Sequence, residues 1–154
     1  MSENTRNMNL AITVDDGSRR VPIMNTQGEE IGAFVFRPTD VDIIDRYNRM
    51  AERFDDVTEP LAALGADTKA APDISDPRYS EALREASKRL YAAVNELFDS
   101  PDAAEAFFGH MSPFSPVNGE FYCLQVLAQV GQFISAQFDT ETKAMSKKAR
   151  RYLK

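Results

Sequence analysis

The sequence predicts an α+β fold, mainly helical, in which a short N-terminal antiparallel β-meander is followed by about four helices. Three observations carry this. Apolar residues alternate with a period of two as far as residue 36 and recur at helical spacing from residue 41 onward. Glycine turn signals, Asp16-Gly17 and Gln27-Gly28, separate the alternating runs. Capping sequences (Thr39-Asp40-Val41-Asp42, Asp76-Pro77 and Ser100-Pro101-Asp102) then open apolar segments.

The first predicted strand carries Leu10, Ile12 and Val14. Val21 and Ile23 alternate in the second, with Pro22 between them. Proline has no ladder N–H to donate, so this strand belongs at an edge. In the third, Ile31, Ala33 and Val35 form one face and Phe34 and Phe36 the other. Apolar residues on both faces predict a strand covered on both sides.

Pro38 ends that strand, and Thr39 with Asp42 forms a capping box. Val41, Ile44, Tyr47, Met50 or Ala51, Phe54, Val57, Leu61 and Leu64 then follow a helical period, with Pro60 placed to kink or break the helix after Val57 and an end near Gly65. Residues 65–76 read as a loop. From Asp76-Pro77, Tyr79, Leu83, Ala86, Leu90, Val94 and Leu97 make the buried stripe of the next helix. A short helix over Ala103–Phe108 ends at Gly109, and residues 110–119 are a turn-rich connection. The helix over 120–138 is the most hydrophobic. Phe121, Leu124, Leu127 or Ala128, Gly131, Ile134 and Phe138 make one stripe, and Tyr122, Val126, Gln129 or Val130, and Phe133 a second. Residues 1–138 read as one domain and 139–154 as a basic, flexible tail.

Composition narrows the function. The chain has 154 residues, one Cys and one His, which excludes zinc sites built from several of these within one chain. A lone cysteine implies no internal disulfide, the N-terminus lacks the apolar core of a secretory signal, and no apolar run approaches the ~20 residues of a membrane span. The expectation is a soluble cytoplasmic protein. Its formal charge is −6; residues 139–154 hold six Lys/Arg against two acids, net +4, which leaves −10 on residues 1–138. An acidic body repels nucleic acid, so only the tail could contact it. No nucleophile elbow, phosphate-binding loop or dinucleotide fingerprint occurs, and no carboxylate pair has a catalytic signature. The prediction is a protein that is not an enzyme, with no cofactor and no metal.

Individual residues have ordinary structural readings. His110 follows a helix-ending glycine and suits a capping or surface role; Cys123 suits core packing; Asp40, Asp42 and Asp45 suit the positive end of a helix dipole. Lys147, Lys148, Arg150 and Arg151 are either solvated or dock an acidic partner or a nucleic acid. The second apolar face of helix 120–138 is the sharpest positive clue. Either the sheet and the other helices cover it, or Tyr122, Val126 and Phe133 meet a partner or another copy.

The order of elements resembles a known family. The strand Ile31-Gly32-Ala33-Phe34-Val35-Phe36-Arg37-Pro38 leads directly into the acid-rich helix Asp40-Val41-Asp42-Ile43-Ile44-Asp45-Arg46-Tyr47. A helical stretch ending Val94-Asn95-Glu96-Leu97-Phe98-Asp99, a short Phe107-Phe108-Gly109 element, the apolar helix Phe121–Phe138 and a basic end follow. Over most of residues 20–154 this resembles the small tail assembly chaperones of long-tailed (siphovirus-type) phages and prophages of Gram-positive bacteria. Asp99-Ser100-Pro101 stands where the family's pattern has glycines.

The resemblance implies a protein without catalysis, working in the cytoplasm of the bacterial host and absent from the mature virion. It would hold the tape measure protein soluble, recruit tail tube protein subunits and leave as the tube polymerises. Some families also make a longer, frameshifted form. An apolar groove can hold the amphipathic helices of a tape measure protein, with Phe121, Leu124, Phe133, Ile134 and Phe138 as anchor candidates. Self-association as a homo-oligomer is a further expectation. The competing readings are a morphogenesis component retained in the virion and a small nucleic-acid-associated regulator using the basic tail.

Overall fold

The computed structural model describes residues 10–65 and 73–153, without the side chains of 150–153. Alternating β-branched and aromatic residues build its first element, a hairpin of β1 (Arg19–Met24) and β2 (Glu30–Phe36). Val21 pairs with Phe34 and Ile23 with Gly32, which puts Val21, Ile23, Phe34 and Phe36 on one face. Met24 pairs with Glu30, so Ile31 is the extra residue of a bulge. Asn25 organises the turn: its side-chain oxygen accepts from the N–H groups of Gln27 and Glu29, and Gly28 supplies the left-handed residue at φ +81°.

The meander is therefore two-stranded. Leu10–Val14 forms no strand, and Leu10, Ile12 and Val14 are 85%, 92% and 75% exposed. Pro22 in mid-strand explains this, since it removes a donor from the outer edge of β1 where a third strand would pair. The edge position expected for β1 holds. The two-sided covering expected for β2 does not: Phe34 and Phe36 are buried, but Val35 is exposed.

Five helices follow among the described residues, because the first of the four expected ones is broken in two. The N-cap position of α1 (Asp42–Glu52) is Val41 and not Thr39, with no side-chain cap; one residue earlier the Asp40 carboxylate accepts the Asp42 N–H at 3.0 Å. The break falls at Arg53, and α2 (Phe54–Ala62) runs through Pro60. Proline leaves the Asp56 carbonyl without its helical donor, and Arg89 Nη1 donates to that carbonyl at 2.9 Å. This external bond is why Pro60 is tolerated.

α3 (Pro77–Phe98) starts as the sequence predicts, with Asp76 accepting the Arg78 N–H at 2.9 Å. Its buried stripe is Ala82, Ala86, Leu90, Val94 and Leu97, while Tyr79 and Leu83 are half-buried. The stripe packs on Ile43, Met50, Val57 and Leu61 of α1 and α2. Ion pairs from Arg49 and Arg53 to Glu96, and from Arg89 to Glu59, line the solvent edge of this seam. Arg46 is more deeply placed and donates through Nε to the Leu97 carbonyl at 2.8 Å, satisfying one of the last acceptors of α3.

α3 ends with Asp99 in the left-handed region (φ +49°), while Ser100 N–H donates to the Asn95 carbonyl at 3.0 Å. Glycine adopts this conformation without steric cost. Asp99→Gly is therefore expected to raise stability by about 0.5–1 kcal/mol, seen as a higher urea midpoint with unchanged m-value. A lower midpoint would mean that the 3.5 Å contact of Asp99 with Arg37 outweighs the backbone term.

Asn95 also caps the next helix across the turn: its Oδ1 accepts the Ala104 N–H at 2.8 Å at the start of α4 (Ala103–Phe108). β2 lies directly on α4. A Cβ built on Gly32 would overlap the Ala106 carbonyl oxygen and sit 2.8 Å from its carbon. The connection after α4 contains a small hairpin, β3 (Pro116–Val117) and β4 (Glu120–Phe121), around Asn118 and Gly119 with φ +55° and +86°.

α5 (Tyr122–Leu153) follows at once. Its first N–H groups are satisfied by the loop: Tyr122 donates to the Ser115 carbonyl and Cys123 to the Pro113 carbonyl. The helix does not stop at Phe138 but continues for 15 more residues as far as Leu153. Residues 139–153 contain no Gly or Pro, and cations near a helix C-terminus offset its negative dipole end. Residues 139–149 are exposed on every side. No helix among the described residues is long and apolar enough to cross a membrane.

Candidate functional site

The Phe-bearing face of the hairpin does not close fully on α5. Four rings form a cluster beneath it. Phe34 stacks on Phe36 with centroids 4.9 Å apart, Phe98 meets both edge-on at 5.0 and 4.8 Å, and Phe107 lies 5.5 Å from Phe34. Above these rings lies a groove of about 490 Å³. Val21 and Ile23 of β1 line one wall, and Tyr122, Val126, Val130 and Phe133 of α5 line the other. Helical spacing explains the second wall, because these four residues recur at i, i+4, i+8 and i+11.

The groove is electrically neutral. Charged residues make up 27% of the chain, yet none of its 20 lining residues is Asp, Glu, Lys or Arg. Its polar groups are amides and hydroxyls such as Asn25, Asn118, Gln125 and Gln129, together with His110. The His110 ring stands edge-on to Tyr122 at 5.7 Å at one end. Burial raises the pKa of the Tyr122 phenol. A groove of this size, apolar in its floor and neutral at its rim, suits an apolar side-chain sequence and gives a charged ligand no counter-ion.

The five anchor candidates do not form one surface. Phe133 lines the groove, 6.3 Å from Phe36. Leu124 is nine residues earlier, about two and a half helical turns, and so lies on the opposite side of α5, 37% exposed. Ile134 is buried, Phe138 is half-buried against the core, and Phe121 packs edge-on to Phe114 at 5.4 Å. Most of the first stripe is thus used in intramolecular packing, including Gly131, where Tyr47 approaches and donates its hydroxyl to the Leu127 carbonyl at 3.2 Å. The second stripe is the one that meets the groove, with Val126 and Val130 buried in its wall.

Of the basic candidates, Lys147 and Lys148 are exposed on α5, and Arg150 and Arg151 belong to the same helix. Asp40, Asp42 and Asp45 do not converge: Asp40 contacts Arg46 and Arg37, and Asp45 contacts Arg49. Among the described residues no group of three or more His, Cys, Asp or Glu is arranged to hold a metal ion. Cys123 is fully buried, as expected, and burial pushes its thiol up to about 12.

The buried thiol has a consequence at alkaline pH. Cys123, Tyr91 and Tyr122 all have pKa values raised by burial. From about pH 9 upward the unfolded chain loses protons that the folded chain retains, so stability should fall as pH rises toward 12. Urea midpoints measured at about pH 8 and about pH 11 check this; a midpoint that holds or rises would contradict it.

Sequence reasoning missed the β1 wall of the groove and the hairpin that places Asn118 at its end. Asn118-Gly119 between two short apolar runs was the signal for that hairpin. No family model matches the chain, and neither a curated protein nor a solved structure matches it.

Proposed function

We propose that this chain is a non-catalytic binding protein whose neutral groove holds an apolar segment of a client protein. We further propose that it is a phage tail assembly chaperone, with the tape measure protein as client and the tail tube protein as a second partner. The observation that supports binding most directly is the absence of any formal charge from a groove floored by four phenylalanines. The tail-chaperone reading rests on the order of elements described above. In this reading the protein acts in the bacterial host cytoplasm and is absent from the mature virion.

The client is held by side-chain burial, which is non-directional and reversible. That suits a chaperone that must release its client when the tube polymerises. The acidic body keeps complexes apart through net charge. The test is co-expression with the tape measure and tail tube proteins encoded beside this chain, followed by pull-down. Capture with improved client solubility supports the reading. Phe133 is 36% exposed, so Phe133→Glu should leave folding intact and weaken capture by roughly tenfold to a hundredfold. Unchanged capture by this variant would remove the groove from the mechanism.

The exposed lysines on α5 favour a second reading, in which the basic end contacts nucleic acid. It predicts salt-sensitive DNA or RNA binding that disappears when residues 143–154 are deleted. A component retained in the particle would instead be found by mass spectrometry of purified virions.

A further inference from the structure

We propose that, when no client fills it, the groove is occupied by residues Leu10–Val14 of a second copy of this chain. The proposal takes from the binding reading only the choice of groove, and its test needs no client. Leu10, Ile12 and Val14 alternate in sequence along a segment that is neither helix nor strand, and each is at least 75% exposed. Three large apolar side chains at alternate positions of five residues would share one face if the segment were extended, and here they lack a surface to cover. The segment Leu-Ala-Ile-Thr-Val carries no charge, and neither does the groove lining. Neutral matches neutral in a chain where charge is otherwise dense.

Pairing within the same chain is disfavoured. Pro22 removes a ladder donor from the outer edge of β1, so a segment lying there is held by side-chain burial and not by strand pairing, and the short meander connection of a single chain loses its advantage. The following turn is fixed by an ion pair of Asp15 with Arg19 at 2.9 Å, by the Gly17 N–H donated to Asp15, and by Arg37 against Asp16 at 3.6 Å. From that anchored turn the segment leads into solvent and not into its own groove. Docking in a second copy buries alternate side chains between β1 and α5. Reciprocal exchange gives a closed dimer, and non-reciprocal exchange gives a longer chain.

The test uses the full chain. Sedimentation velocity over a concentration series should show self-association, and Ile12→Asp, at a position 92% exposed, should weaken it by roughly tenfold or more without altering the fold. Contact is read by cross-linking. A chain carrying Ile12→Cys, mixed with a differently tagged chain carrying Gln129→Cys, should form a mixed disulfide, whereas a partner carrying Arg84→Cys should not. Native Cys123 is fully buried and stays in place. A chain that remains monomeric, associates equally well as Ile12→Asp, or forms no mixed disulfide overturns the proposal. So does a double variant that closes the Ile12→Cys and Gln129→Cys disulfide within one chain. Failure here leaves client capture untouched, and failure of capture leaves this result standing.

Discussion

Gly32→Ala should destabilise the fold severely. β2 crosses α4 so closely that the added methyl would overlap the Ala106 carbonyl oxygen. The obstacle is backbone, so no change of rotamer relieves it. Either β2 lifts away from α4 or α4 moves, and Ala103 and Ala104 are already fully buried in that helix. Overpacking typically costs about 1–3 kcal/mol, and a clash with main chain belongs at or above the top of that range. Against the roughly 5–15 kcal/mol by which domains are stable, a loss of about 3 kcal/mol is large. Denaturant titration followed by far-UV circular dichroism measures it. Gly28→Ala is the control, since its Cβ meets nothing within 4 Å and carries only the positive-φ penalty. If both variants lose the same amount, the close approach of β2 to α4 is not the cause.

Phe98→Ala should cost about 3–5 kcal/mol, the range for removing a large buried aromatic side chain. Phe98 is the last residue of α3, and its ring meets Phe34, Phe36 and Phe107 at 4.8–5.7 Å. One side chain therefore links the hairpin, α3 and α4. Its loss also opens the floor of the groove, so the remaining rings lose their edge-to-face partner and Phe133 loses a firm surface behind Phe36. The chain has no Trp, so near-ultraviolet dichroism reports directly on its Phe and Tyr environments. A variant with wild-type near-ultraviolet signal and a loss under about 1 kcal/mol would show that the cluster repacks without it.

The helical half of the fold was readable because its signals are local. Asp76-Pro77 set the start of α3, and the 3.6-residue period marked Ala86, Leu90, Val94 and Leu97 as core. Other boundaries depend on distant partners. Pro60 reads as a breaker until Arg89, 29 positions later, supplies a donor to Asp56. Leu10–Val14 reads as a strand by alternation, yet Pro22 removes the edge that would pair with it. The candidate site was half legible. Tyr122, Val126, Val130 and Phe133 were visible as a stripe, but period alone does not say which of two apolar faces on α5 meets a gap. That choice was made by Gly131, whose missing side chain admits Tyr47 to the other face.

The uninterrupted course of α5 has a consequence for hydrogen exchange. Up to Phe138 the helix rests on the body, and its amides can open only with the cooperative unit they belong to. Over residues 139–149 the same hydrogen-bond ladder continues with every side chain exposed, so it obeys the helix–coil statistics of an isolated peptide, in which segments shorter than about 12–15 residues are marginal. One continuous rod thus contains two thermodynamic regimes. Protection should fall by orders of magnitude within a turn or two of Phe138, although the backbone geometry does not change there.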